Sequence, residues 1–240
     1  MLILGATGGI GKAIAQKANN YDTKLVLVAR DHDNLDNLKE EINDCLIISK
    51  DITKENNMAE IIKMTLEKYG KIDVLVQCVG SILLKPLHAL KKEEFEKTLD
   101  KNLVSSFMAM KHVLRPMLRK KEGSIIFFSS VAASKGLRNH SAISAAKAGL
   151  EGMIKSAAVT YASRNIRINA IALGLVDTPL SKRVKLTSSK KAREAPKKLH
   201  PLGKIGKPKD IVDLVMFLAW EKSSWMTGAI IPMDGGMAAG

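Results

Sequence analysis

Short apolar runs rich in β-branched residues alternate along this chain with longer stretches whose apolar positions recur at three- and four-residue spacing. The short runs predict strands at 2–4, 24–29, 45–48, 72–76, 124–128, 166–171 and 229–232. Several are apolar on both faces, as parallel strands buried between helices are. The longer stretches predict helices at 10–20, 34–42, 54–69, 92–119, 141–162 and 208–220. This alternation implies right-handed crossovers and an α/β fold, a doubly wound parallel sheet of seven strands with helices on both faces. No repeat or linker breaks the pattern, so residues 1–240 are expected to form a single dinucleotide-binding domain.

One stretch departs from it. Between 174 and 201 there is no convincing strand, and Lys182, Arg183, Lys185, Lys190, Lys191, Arg193, Lys197 and Lys198 crowd together. A connection this long inside a compact domain is read as a lid over a cleft or as a solvated amphipathic helix.

Composition narrows the class. Hydrophobic residues make up 46% of the 240, which excludes a disordered chain. No apolar run reaches the ~18 residues of a membrane span. Met1 leads directly into an apolar strand with no basic leader, and a cytoplasmic protein is expected. Cys45 and Cys78 read as reduced core residues rather than a disulfide or metal site, and no metal is expected. The net charge of +14 favours acidic partners such as nucleotide cofactors, coenzyme A or acidic carrier proteins. With lysines spread along the chain and few aromatics for stacking, specific nucleic-acid binding is not expected.

Gly5-Ala6-Thr7-Gly8-Gly9-Ile10-Gly11 joins the first strand to the first helix. Glycines there permit positive φ and close backbone approach to a pyrophosphate, and the helix start offers free N–H groups. Arg30 ends the second strand, with Asp31 after it. A guanidinium at that place suits a ribose 2′-phosphate, so NADP(H) is favoured over NAD(H).

Further motifs run to the end of the chain. They are Asp51-Ile52 after the third strand, Gln77-Cys78-Val79-Gly80 after the fourth, and Asn102 in the long central helix. Ser129-Ser130, Asn165-Ile166-Arg167-Ile168-Asn169, Thr178-Pro179 and Asp234-Gly235-Gly236 follow. Together the sequence resembles the classical short-chain dehydrogenase/reductase family, and its 3-oxoacyl-[acyl-carrier-protein] reductase-like members in particular. The resemblance spans essentially the whole chain. It implies cofactor contacts at Gly5, Thr7, Gly9, Ile10, Gly11, Arg30, Asp51, Ile52, Gly80, Lys147 and Thr178. It also implies a catalytic group in which Ser130 steadies the carbonyl oxygen, Lys147 holds the nicotinamide ribose and Asn102 secures a water relay.

The family pattern places the proton-donating tyrosine four residues before the lysine, on the same helix face. In this chain that position is Ile143, which has no proton to give. His140, seven residues before Lys147, is the nearest substitute acid, and it is equally read as a helix-start residue at the cleft rim. Three functions are therefore compatible with the sequence. One is an NADP(H)-dependent reductase of acyl thioesters with atypical or weak catalysis. Another is an impaired cofactor-binding subunit that pairs with an active homologue. The last is a regulatory or structural protein on the same scaffold. The resemblance implies a homo- or hetero-tetramer built on helices 92–119 and 141–162, and the lysine-rich lid suits an acidic acyl carrier protein.

Overall fold

A computed structural model describes residues 1–42, 44–54 and 56–239. The first half runs β1 (Leu2–Leu4), α1 (Gly9–Asn19), β2 (Leu25–Ala29), α2 (His32–Glu40), β3 (Cys45–Ser49), α3 (Asn57–Tyr69), β4 (Val74–Gln77) and α4 (Lys92–Leu99). The second half runs α5 (Ser105–Lys120), β5 (Gly123–Ser130), α6 (Ser141–Tyr161), β6 (Ile166–Leu173), α7 (Pro179–Arg183), α8 (Lys190–Lys198), α9 (Pro208–Ala219) and β7 (Ile230–Met233). The strands form one sheet in the order β3-β2-β1-β4-β5-β6-β7, parallel throughout. The seven-stranded, doubly wound architecture expected from the alternation is the one observed.

Alternate strand residues feed opposite faces of the sheet, as the pleat requires. Ile3, Leu27, Val76 and Ile126 face a core closed by α1, α2 and α9. Leu4, Val28, Leu75 and Phe127 face a second core closed by α3, α5 and α6. Two-sided burial explains why these strands lack a polar alternation. Each fully buried Leu or Ile contributes ~1.5–3 kcal/mol, so the sheet is a stiff platform for the loops that leave it.

Three predicted bounds shift for physical reasons. Strands β5 and β6 run on in register to Ser130 opposite Leu173. The polar Ser129 and Ser130 conceal that extension in the sequence. The helix predicted over 92–119 is broken by a π-helical stretch, Asp100–Val104, where Ser105 N–H donates to Asp100 five residues back. The lysine-rich segment contains two short helices, and α8 has no buried residue.

All strands point the same way, so the loops after them gather at one edge of the sheet. β1 lies between β2 and β4, and its neighbours connect to opposite faces. A crevice opens at this reversal of strand order, where such folds bind ligands.

Candidate active site

The glycine turn follows β1 directly. Gly5 sits at φ +79°, a conformation that L side chains avoid. A Cβ on Gly11 would land on the Gly5 carbonyl oxygen, so this helix turn closes only with glycine. Gly8 caps α1 without a side-chain hydrogen bond, which leaves the first-turn N–H groups for an anion. A Cβ on Gly9 would meet Pro179 Cδ at 3.0 Å and Thr178 Cβ at 3.1 Å. Only glycine at position 9 therefore lets the glycine turn pack this closely against the start of α7.

The next two strand ends carry Arg30 and Asp51, where the resemblance implies adenosine contacts. Arg30 is exposed at the end of β2, its carbonyl accepting from the Ser49 hydroxyl at 3.0 Å. Asp51 accepts from the N–H of Thr53 at 3.0 Å and from its hydroxyl at 2.8 Å. Burial opposes its ionisation, yet those bonds and the charge of Arg30 hold its carboxyl below the usual range. Ile52 is buried in the core beside α3. It therefore offers a nucleotide its backbone rather than its side chain. Ile10 likewise packs its side chain on the opposite core.

At the ends of β4 and β5 three polar residues converge. Asn102, 1% exposed, lies in the π-helical stretch. Its amide nitrogen donates to Ser81 Oγ at 3.0 Å and to the Thr98 carbonyl at 2.9 Å, and its oxygen accepts from Ser81 N–H at 3.1 Å. The Cβ that Gly80 lacks would stand 3.0 Å from that oxygen and 4.0 Å from Lys147 Nζ. Glycine at position 80 thus lets Asn102 and Lys147 open onto one space. Lys147 is 8% exposed and donates to the Phe128 carbonyl at 2.7 Å. Burial pushes its ammonium down to about 8, and the charge of Glu151 acts against that fall. Ser130 ends β5 and accepts from Ala132 N–H at 3.2 Å. Its own hydroxyl hydrogen has no acceptor among the described residues, so it can donate to a ligand oxygen.

Ile143 is 5% exposed, one turn before Lys147 on α6, which packs against the turn after Ser130. A branched aliphatic side chain thus stands at the position where the family resemblance implies a tyrosine. No tyrosine substitutes for it. Tyr21 precedes β2, Tyr69 ends α3 before β4, and Tyr161 ends α6 before β6. In a parallel sheet those places lie at the edge opposite the crevice. His140 caps α6, with Nδ1 2.7 Å from the Arg138 carbonyl oxygen. That bond anchors its ring at the start of the helix that carries Ile143 and Lys147.

The lysine-rich segment follows β6 and is held down at several points. Thr178 caps α7, its hydroxyl accepting from Ser181 N–H at 3.2 Å, and Ser181 Oγ lies 2.9 Å from Thr187 Oγ1. Arg193 pairs with Asp177 at 2.8 Å. His200, buried, accepts from Leu175 N–H through Nε2 at 3.1 Å. Its Nδ1 therefore carries the hydrogen and donates to the Pro196 carbonyl at 2.7 Å.

Sequence reasoning missed three of these residues. Ser81 lies beside a recognised motif, Glu151 stands at the i+4 position from Lys147, and His200 sits at the far end of the lysine-rich segment. Only the spacing of Glu151 was a usable signal.

The glycine turn, Asp51 and the Asn102, Ser130 and Lys147 group follow strand ends at one edge of the sheet, where folds of this class bind ligands. The chain belongs to the short-chain dehydrogenase/reductase family: the family model described as Enoyl-(Acyl carrier protein) reductase matches residues 5–238. A 3-oxoacyl-[acyl-carrier-protein] reductase of Thermotoga maritima is 34% identical over 242 residues, covering 98% of this chain and 96% of its own. A cis-4-hydroxycyclohexanecarboxylate dehydrogenase of Sinomonas cyclohexanicum is 34% identical over 242 residues, covering 99% and 96%. Among solved structures, ElxO with NADP bound superposes with a TM-score of 0.93 at 27% identity, covering 100% of this chain and 98% of that one. A tyrosine-to-phenylalanine variant of ElxO with NADPH bound matches with the same score and identity.

Proposed function

We propose that this chain is an NADP(H)-dependent reductase of 3-oxoacyl thioesters in which proton donation is the weakened step. The observation that carries the reading is the convergence of Gly80, Asn102, Lys147 and Ser130 beside an intact glycine cradle, with Ile143 in place of an acid. NADP(H), when bound, supplies the hydride. The cradle at Gly5–Gly11 holds the pyrophosphate, Arg30 takes the 2′-phosphate, and Lys147 holds the nicotinamide ribose. Thr178 closes the channel from the lid side. Ser130 donates its free hydroxyl hydrogen to the substrate carbonyl oxygen, and the buried Lys147 charge steadies the negative charge developing there. Without a phenol the oxygen takes its proton from Ser130 and solvent, which forfeits ~10²–10⁴ in rate.

The relatives support the substrate class through the Thermotoga reductase, and the cofactor through the two ElxO structures. The variant that lacks one tyrosine hydroxyl still carries NADPH, in keeping with cofactor binding that does not need such a group. The basic lid suits the phosphates of coenzyme A or the acidic surface of an acyl carrier protein.

Calorimetry tests the cofactor assignment. NADPH is expected to bind roughly tenfold more tightly than NADH, because a charge-assisted pair is worth ~1.5–3 kcal/mol. Arg30→Ala should bring the two within about threefold. Equal affinities in the unaltered protein would remove Arg30 from the site, and binding of neither would overturn the reading.

A second reading, an impaired subunit partnering an active homologue, draws on Ile143 and on exposed apolar residues of the long helices. Val104, Phe107 and Val159 are 44%, 46% and 83% exposed. That face suits a second copy or a homologue in a tetramer. Light scattering that finds only a monomer, with no dehydrogenase co-purifying from the host, would eliminate it.

A further inference from the structure

We propose that Glu151, held by the hydroxyl of Ser129, is a positioning residue that keeps Lys147 charged in the crevice. The inference rests on the reading of Lys147 as the cofactor-binding cation. Three consecutive residues at the end of β5 divide the work. The Phe128 carbonyl accepts from Lys147 at 2.7 Å, Ser129 Oγ donates to Glu151 Oε1 at 2.6 Å, and the Ser130 hydroxyl is open to ligand. Lys147 and Glu151 stand one turn apart on α6, on the face that Ile143 also occupies. Helix and strand are thus joined by two hydrogen bonds, one that Lys147 donates and one that Glu151 accepts.

The electrostatics give this arrangement a purpose. Lys147 is almost fully buried and its recorded partner is a neutral carbonyl. An ammonium in that setting loses hydration and drifts toward the neutral amine. The groups packed around it supply little else. Asn102 and Ser81 carry no charge, and neither do Ser129 and Ser130. Glu151 is the carboxylate whose field opposes the loss. Ser129, itself buried, fixes that carboxylate against the strand instead of leaving it to swing into solvent. Where a phenol is present, a neutralised lysine would still leave a proton donor in the crevice. With Ile143 there, the lysine charge is the principal electrostatic asset of the site.

The sign follows directly. Removing the Glu151 charge disfavours the ammonium, so the Lys147 midpoint falls below its value of about 8. The expected fall is about half a pH unit or more, a factor of about three in the charged fraction above the midpoint.

The test is a side-chain NMR titration of Lys147 in the protein without nucleotide, with the resonance assigned through Lys147→Arg. Glu151→Gln keeps an oxygen for Ser129 and removes only the charge, so its Lys147 midpoint should fall by that amount. Ser129→Ala frees the carboxylate and should lower the midpoint by a smaller step. A purely structural role would leave the midpoint where it is, and an unchanged midpoint in Glu151→Gln overturns the proposal. A parallel titration of NADPH affinity against pH should show its alkaline decline move to lower pH in Glu151→Gln. Because the NMR midpoint is read without nucleotide, failure of NADPH to bind and failure of the Glu151 role are separately visible.

Discussion

Position 143 shows how much one side chain decides. The helix face there is set by Lys147 four residues on, and the buried Ile143 side chain has no proton of its own to give. The substitution is plain in the sequence because Lys147 fixes the spacing. What Ile143 touches is not, since that depends on how α6 lies against the end of β5. Glycine positions divide in the same way. Gly11 is visible in the motif, but only the structure shows its missing Cβ aimed at the Gly5 carbonyl. Gly11→Ala should abolish NADPH binding and lower stability by ~1–3 kcal/mol, the cost of forcing an atom into packed backbone. Gly136→Ala, where an added Cβ meets nothing within 4 Å, should stay within ~0.5 kcal/mol and serve as the control in denaturant unfolding. If Gly11→Ala binds NADPH normally, the glycine turn is not the pyrophosphate cradle.

Among the elements, strands and long helices were legible because two-sided burial and helical periodicity are properties of the sequence itself. The π-helical stretch around Asn102 was not. There Asn102 bonds the Thr98 carbonyl one turn back and Ser81, 21 residues away, and the second of these contacts is tertiary. The lysine-rich segment was legible only as a choice between a lid and a solvated amphipathic helix, and α8, which buries nothing and carries Pro196, has the solvated character of the second. Its hold on the body comes from Arg193 on Asp177 and from His200, which bridges Pro196 and Leu175. Gly174 makes room for that ring, since a Cβ there would stand 2.8 Å from His200 Nε2. His200→Leu strands a buried N–H and a carbonyl at a cost of ~1–3 kcal/mol, and this loosens the lid. Trypsin should then cut at Lys182–Lys198 several-fold faster than in the unaltered protein, while His200→Gln, which can both accept and donate, restores part of the protection. An unchanged cleavage rate would show that His200 does not fasten the lid.

Across the whole molecule, chemistry is segregated by edge. The glycine turn, Arg30, Asp51, Gly80, Ser130 and the lid follow strand ends at one edge, and the tyrosines gather at the other. Fold and cofactor cleft were legible because a parallel sheet sends every strand-to-helix loop to the same side, so motif order alone predicts a shared site. The Ser129–Glu151 link and the His200 bridge were not, because each joins residues more than 20 positions apart through side chains that no pattern marks. Among the described residues no helix is long and apolar enough to cross a membrane. The central claim is that this scaffold keeps the cofactor and oxygen-stabilising groups while lacking the acid. It is tested most directly by steady-state oxidation of NADPH with a series of 3-oxoacyl thioesters, comparing the unaltered protein with Ile143→Tyr. The prediction is a turnover well below the ~10 s⁻¹ of ordinary enzymes, raised about a hundredfold by the tyrosine. An unaltered protein that already turns over at that ordinary rate, with no gain from Ile143→Tyr, would contradict it.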